Sequence, residues 1–164
     1  SILIPAANAV RYQEIQTIVQ GFPELPVVVS VGDSHEVMAA ADVVLMASGT
    51  TTLEAMLLKR PMVIAYKMAA LSYWILKRLV KSKYIGLPNL LADKALVPEL
   101  IQDEANAENI SREVLRLLTV PEASENLSKA FYTIHQSLKR DANEAAADAV
   151  ESLCSTTVES ARHD

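Results

Sequence analysis

The chain has 164 residues, of which 51% are hydrophobic and 21% are charged, as is typical of a single globular domain. Its net charge of −5 disfavours a broad nucleic-acid-binding surface, so we expect no nucleic-acid partner. No stretch approaches the roughly 20 consecutive apolar residues that a membrane-spanning helix needs.

Short apolar runs and helical patterns alternate through the first part of the chain. They predict strands at 2–6, 27–31, 43–47 and 62–66, and helices at 9–19, 35–41, 51–59 and 70–82. Strands separated by helices of about ten residues imply a parallel sheet with right-handed crossovers. Nearly continuous Val, Ile and Leu indicates strands covered on both faces. The predicted fold class is α/β, a Rossmann-like parallel sheet that forms half of a doubly wound fold.

The character of the sequence changes after Leu100, where helical patterns follow at 109–118, 124–139 and 143–153. We therefore divide the chain into a Rossmann-like domain at 1–100, C-terminal helices at 101–154 and a disordered tail at 155–164. The apolar run at 2–4 has the pattern of a strand already under way. We interpret the chain as part of a longer protein whose first strand and N-terminal domain precede it. A single cysteine, Cys154, cannot form an internal disulfide, which agrees with a reducing cytosol.

The turn between the third strand and its helix is the most informative loop, because ligands of open parallel sheets bind beyond the carboxyl ends of the strands. Gly49 allows a ligand to approach the backbone, and Ser48 and Thr50 place hydroxyls at a helix start, where an anion is favoured by about 0.3–1 kcal/mol. Glu54 lies one turn further and could accept hydrogen bonds from vicinal ribose hydroxyls. The other interpretation is an ordinary helix cap with Glu54 as a solvated acid. The short string by itself favours this second interpretation.

A basic segment interrupts the otherwise acidic chain. Residues 67–83 contain five basic and no acidic side chains, which leaves 10 basic and 20 acidic residues elsewhere. In a helix over 70–82, Trp74 falls on the cationic arc opposite the apolar one, together with Lys77, Arg78 and Lys81. This face suits the headgroup layer of an anionic membrane. The alternative is a solvated face whose Trp74 packs on a neighbouring helix or subunit.

Several blocks resemble the donor-binding segment of lipid-A-disaccharide synthases, which are GT-B glycosyltransferases. The blocks follow one another in the same order over nearly the whole chain and are Asp42–Thr50, Leu53–Leu57, Pro61–Val63, Tyr66–Met68, Trp74, Lys77–Lys81, Leu87–Ala92 and, more weakly, Val97–Gln102. The Ala-Ser-Gly-Thr turn followed by Leu-Glu, and the Leu-Pro-Asn-Leu-Leu-Ala block, carry most of the specificity.

The resemblance implies a reaction and a set of site residues. The family transfers 2,3-diacylglucosamine from its UDP carrier to 2,3-diacylglucosamine 1-phosphate (lipid X), releasing UDP and the β-1′,6-linked disaccharide of lipid A. It implies that Ser48, Gly49 and Thr50 lie by the diphosphate, Glu54 by the ribose, and Asn89 at the substrate cleft. A uracil contact from 32–37 is a further possibility. Neither a metal nor a cofactor is expected, and His35, His135 and His163 are too scattered to form a metal site.

Two parts of the family pattern are not found in this chain. A Gly-Ser-Arg loop that faces the donor phosphates would precede Ser1, and the proposed catalytic base belongs to an N-terminal domain. We therefore nominate no catalytic residue here and expect the chain alone to be inactive. The expected partners are the UDP-diacylglucosamine donor, the lipid X acceptor and an anionic inner-membrane surface. The resemblance also leaves open a homodimer whose subunits exchange C-terminal segments, which the sequence does not decide. The expected location is the cytoplasm, peripheral on the inner membrane of a Gram-negative bacterium.

Two other functions stay open. The first is another GT-B enzyme acting on UDP-sugars, such as an epimerase or a peptidoglycan glycosyltransferase, which shares only the donor site. The second is a non-catalytic α/β module for binding or dimerisation. The Leu-Pro-Asn-Leu-Leu-Ala block around Asn89 favours the lipid A enzyme over the first of these. UDP titration separates the transferase from the binding module.

Overall fold

The computed structural model describes residues 1–47, 49–69 and 83–139 and contains parallel strands in two sheets. The first sheet pairs β1 (Ile2–Ala6) with β2 (Val27–Val31). The second sheet has the order β3 (Val44–Met46), β4 (Met62–Tyr66) and β5 (Glu99–Ile101). Helices connect the strands, so the predicted α/β class with parallel strands is confirmed.

Six α-helices lie in the described part of the chain. They are α1 (Ala9–Val19), α2 (Ser34–Ala40), α3 (Thr51–Leu57), α4 (Leu87–Ala92), α5 (Ala107–Thr119) and α6 (Pro121–Leu138). A short 3₁₀ helix, Gln102–Glu104, follows β5. No helix of the described residues is long and apolar enough to cross a membrane.

Local sequence signals explain where several helices begin. Asn8 caps α1, because its Oδ1 accepts from the Arg11 N–H at 3.0 Å. Asn106 caps α5 in the same way, accepting from Asn109 N–H at 2.9 Å. Pro121 is the first residue of α6, where the missing N–H costs nothing. The sequence placed this start at 124, three residues too late.

Two elements, α4 and β5, were not predicted. No helix was predicted at 87–92, yet Pro88 lies in the first turn of α4. Residues 97–102 carried no strand pattern, yet β5 pairs with β4 from Ile64↔Glu99 to Tyr66↔Ile101. The predicted helices at 70–82 and 143–153, Cys154, and the predicted tail at 155–164 lie outside the described residues, as does the domain boundary predicted at 154.

The two sheets are separate, because within the described residues β1 pairs only with β2 and β3 pairs only with β4. Helix α2 connects them: it leaves β2, packs against β1 and also contacts α3. The chain therefore crosses at α2 from the first sheet to the second.

The main core belongs to the second sheet. Met62, Val63 and Ile64 of β4 are at most 1% exposed, and α5 packs against this strand. Phe131 of α6 is fully buried in the same cluster. The prediction that both faces of the strands are covered is therefore correct for β4. It does not hold for β2, where Val28 is 57% exposed.

Candidate functional site

The carboxyl edge of the second sheet brings together the loops that leave β3, β4 and β5. The strands are parallel and in register, with Met46 opposite Ile64 and Tyr66 opposite Ile101. Neighbouring strands lie about 4.8 Å apart, so the exits of adjacent strands are close in space. This edge is where an open parallel sheet binds its ligands.

The turn after β3 leaves the backbone of Gly49 accessible. Gly49 has φ 152°, a conformation that favours glycine, and a Cβ built there would meet no atom within 4 Å. Thr50 is exposed, and its side chain does not cap α3. Ser48, the third residue predicted at this turn, lies outside the described residues. The part of the turn that is described thus has open space and a free hydroxyl.

A buried threonine that the sequence analysis did not single out holds this turn. Thr52 is fully buried, and its Oγ1 donates to the carbonyl oxygen of Gly49 at 2.7 Å, while its own N–H donates to the same oxygen at 3.1 Å. Both bonds fix the Gly49 peptide against α3. A run of three threonines gave no signal for which one would be buried.

Glu54 lies on the outer face of α3. Ala55 and Met56 are fully buried, whereas Glu54 is exposed. Thr50 and Glu54 are four residues apart, which places them on one side of the helix. Within the described residues the Glu54 carboxylate makes no hydrogen bond or ion pair. Thr50 and Glu54 are therefore on a common, exposed face, and neither side chain has a hydrogen-bond partner within the described residues.

Asn89 is placed differently from the exposed residues at this edge, because it is 1% exposed and fully hydrogen-bonded inside the protein. Its Oδ1 accepts from the N–H groups of Leu96 and Val97, each at 2.7 Å. Its Nδ2 donates to the Val97 carbonyl at 2.9 Å and to Glu99 Oε1 at 2.8 Å. The helix that carries it packs against α3. Asn89 therefore fixes the stretch that leads into β5.

Glu99 on β5 is a second polar centre that the sequence analysis missed. Besides Asn89, its carboxylate accepts from the N–H of Ile85 at 3.0 Å and of Gly86 at 2.9 Å. A Cβ at Gly86 would lie 2.4 Å from Ile64 Cδ1 and 2.9 Å from Glu99 Oε1, so any larger residue would displace the ends of these side chains. Only the tertiary fold brings these residues together, since Glu99 is more than ten residues from the N–H groups that it binds.

Gln102 holds the loop after β4. Its Oε1 accepts from the Met68 N–H at 2.8 Å, and its Nε2 donates to the Met68 carbonyl at 3.0 Å. Lys67, the residue before Met68, is exposed. The β4 exit is thus fixed at the same edge of the sheet as the Gly49–Thr50 turn.

An open groove of about 610 Å³ lies at the opposite, amino ends of β3 and β4, beside Asp42 and Pro61. Arg60 lines it, and Arg60 Nε is buried without a hydrogen-bond partner in the described part of the chain. We do not assign the ligand site to this groove, because ligands of parallel sheets bind at the carboxyl ends.

Nearby, the Lys59 ammonium contacts His135 Nδ1 and donates to the Leu57 carbonyl. Burial lowers the pKa of Lys59.

The predicted membrane-contact residues Trp74, Lys77, Arg78 and Lys81 lie outside the described residues. Among the residues that are described, no group of three or more His, Cys, Asp or Glu side chains is arranged to hold a metal ion.

Comparison with known proteins places the chain in a family. The family model for lipid-A-disaccharide synthetase matches residues 1–152. The chain belongs to this family. It is 51% identical to a lipid-A-disaccharide synthase of Saccharophagus degradans over 98% of its own length. It is 50% identical to the corresponding proteins of Pseudomonas fluorescens and Cellvibrio japonicus over 92% of its length. The chain spans 42% of the first relative and 39% of the other two.

Proposed function

We propose that this chain is the donor-binding part of a lipid-A-disaccharide synthase. The reaction transfers 2,3-diacylglucosamine from UDP-2,3-diacylglucosamine to 2,3-diacylglucosamine 1-phosphate and releases UDP. The observation that carries the proposal is the family match over residues 1–152, supported by relatives of that name at about half identity. The open turn at the carboxyl edge of the second sheet gives the donor a place to bind.

We assign the diphosphate to Ser48, Gly49 and Thr50 and the ribose to Glu54. The free space at Gly49, the uncapped hydroxyl of Thr50 and the unpaired carboxylate of Glu54 support this assignment. A carboxylate with no internal partner can accept hydrogen bonds from two ribose hydroxyls without breaking an existing contact. For Asn89, full use of its hydrogen-bonding groups favours a role in shaping the cleft through residues 96–99.

A further parallel strand between β1 and β3 would join the two sheets. Both strands have an edge without a partner among the described residues, and Ile2, Leu3 and Leu45 are 43–52% exposed there. The strand order would then match the doubly wound arrangement, whose ligand crevice lies at the central strand. We propose that this strand, the N-terminal domain and the catalytic base come from the family sequence outside this chain. Catalysis then requires the longer protein.

For residues 67–83 we keep the membrane proposal, because the substrates carry acyl chains and the segment has five positive charges and no negative one. The location that follows is peripheral, on the cytoplasmic side of the inner membrane. Co-sedimentation with anionic vesicles tests it by comparing wild type with Trp74→Ala and with the double change Lys77→Ala/Lys81→Ala. Unchanged binding in both variants would favour the solvated face instead.

Exchange of C-terminal segments between subunits also stays a proposal. Leu115 and Leu118 on α5 and Tyr132 on α6 are more than half exposed, which leaves apolar surface for a partner helix. The molar mass measured by light scattering tests this: a monomer at all concentrations contradicts it.

Calorimetric titration with UDP tests the donor site. We expect saturable binding that Glu54→Ala weakens about tenfold, since about 1.4 kcal/mol of lost hydrogen bonding corresponds to that factor. Glu108→Ala is the matched control, because Glu108 is also an exposed acid in the first turn of a helix. Equal losses in both variants, or no UDP binding by wild type, contradict the assignment and favour the non-catalytic module. Disaccharide formation by this chain alone would refute the placement of the base elsewhere.

A further inference from the structure

The backbone turns away from β4 at Gln102, and beyond this point the Gln102 side chain, not the backbone, hydrogen-bonds the chain that leaves β4. Gln102 has φ 55°, a left-handed conformation that costs a residue with a Cβ about 1 kcal/mol. The β4–β5 ladder ends at Tyr66↔Ile101, one residue before Gln102. The Gln102 amide then makes one accepted and one donated hydrogen bond with the Met68 backbone, at 2.8 Å and 3.0 Å. The side chain thus extends the pairing beyond the last residue of the strand.

This amide clamp acts on the loop that leaves β4. Both hydrogen-bonding groups of Met68 are held, so the peptides on either side of this residue are fixed. The exposed Lys67 is anchored by the first of these peptides. Because β3 and β4 are parallel neighbours, this loop leaves the sheet at the same carboxyl edge as the Gly49–Thr50 turn.

We infer that Gln102 is a positioning residue of the sugar-nucleotide site: by clamping Met68 it holds the β4 exit loop, with Lys67, against the diphosphate side of the crevice. The inference rests on the proposed function. A lysine ammonium at this edge can neutralise phosphate charge, and its contribution depends on an anchored backbone. Asparagine tolerates the left-handed conformation better but is one methylene too short to reach Met68.

Two variants separate the donated bond from the accepted one. Gln102→Met keeps the length and removes both bonds. Gln102→Glu keeps the acceptor for the Met68 N–H, but its carboxylate cannot donate to the Met68 carbonyl. A protonated carboxyl has the same donor–acceptor pattern as the amide, so acid restores the clamp in this variant. The exposed Gln136 on α6 provides the control, Gln136→Glu.

UDP titration at several pH values between about 5 and 8, with thermal melting in parallel, is the test. We expect Gln102→Met to weaken UDP binding about tenfold, which corresponds to the loss of about one net hydrogen bond. Gln102→Glu should weaken it by a similar factor at pH 8. The ratio of its UDP dissociation constant to that of wild type should return toward one as the pH falls. The reason is that a carboxyl beside a carbonyl has a pKa above its ordinary value of about 4.3. Gln136→Glu should follow wild type throughout.

Hydrogen exchange supplies a local readout that does not depend on UDP. The Met68 amide should lose protection in Gln102→Met and keep it in Gln102→Glu. If wild type binds UDP and both Gln102 variants bind within twofold of it, the positioning role is wrong while the proposed function stands. If Gln102→Glu weakens UDP binding by the same factor at every pH, the positioning role of Gln102 is also wrong, since a constant loss indicates general destabilisation. No UDP binding by wild type contradicts the proposed function itself.

Discussion

The two sheets are built from similar apolar sequences and are buried to very different extents. In β4 Met62, Val63 and Ile64 are at most 1% exposed, whereas in β1 Ile2 and Leu3 are 47% and 43% exposed and only Ala6 is buried. The second sheet is covered by helices that share its core, including Phe131 of α6. Helix α1, which packs on the first sheet, has no buried residue. The comparison shows that an apolar sequence is not enough to bury a strand, because burial also needs helices that pack over it.

The strongest test of this difference removes the side chain of Phe131, through which α6 packs into the core of the second sheet. Phe131→Ala should lower the free energy of unfolding by about 3–5 kcal/mol, because it leaves a cavity in the closed core. Leu3→Ala in the first sheet should cost less than about 1 kcal/mol, since its side chain is 43% exposed. Urea unfolding of both variants checks the pair. Comparable losses would mean that the two sheets are stabilised alike.

A second prediction concerns the buried hydrogen bonds that Asn89 makes beside the second sheet. Asn89→Leu should destabilise by about 2–4 kcal/mol, because it leaves the buried N–H of Val97 and that of Leu96 without their acceptor. Asn109→Leu in the first turn of α5 is the comparison variant, because the side-chain hydrogen bonds of Asn109 are exposed and water can replace them. Thermal melting of both gives the measurement. A small effect at Asn89 would contradict its role as the fixed centre of residues 96–99.

The same substitution at two valines sharpens the comparison further. Val63→Thr places a hydroxyl in a site with no exposure and should cost about 1–3 kcal/mol. Val28→Thr changes a side chain that is 57% exposed and should stay within about 0.5 kcal/mol. Denaturant midpoints of the two variants report the difference directly. Equal shifts would mean that Val28 is covered in solution.

The smallest expected effect lies where α3 meets α6. Lys59 has φ 61° just after α3, a position where glycine is favoured, so Lys59→Gly should raise stability by about 0.5 kcal/mol despite the lost contact with His135. Burial lowers the pKa of Lys59 below its ordinary value of 10.5, so the charged form is disfavoured in the folded state. This cost is present at neutral pH and is lost as the pH rises through the lowered pKa toward 10.5. The advantage of the variant should therefore shrink between neutral and alkaline pH in melting experiments. A stability advantage of Lys59→Gly that grows with pH would contradict the lowered pKa of Lys59.

Much of the fold could be predicted from local sequence signals, and the exceptions have a common cause. Strands β1, β2 and β4 have their predicted bounds, because each is a run of five residues between clear turn signals. Strand β5 has only three residues and includes Glu99, and it exists because it pairs with β4. Helix α4 has six residues, too few to show a periodicity.

For the candidate site, the sequence provided the residues but only part of their roles. Gly49, Thr50 and Glu54 were nominated because a strand, a small-residue turn and a helix follow one another directly. Thr52 was missed because its neighbours are also threonines. Glu99 and Gln102 were missed because their partners are at least ten residues away along the chain.

By itself, the sequence determined the parallel α/β class, the turn after β3 and, through resemblance, the family. These depend on periodicity and on residues that are adjacent in the chain. Only the tertiary structure decided that the strands form two sheets, that Asn89 is buried and that Gln102 clamps Met68. Each of these depends on which distant groups meet, because a polar side chain takes its role from the donors and acceptors that the fold brings to it.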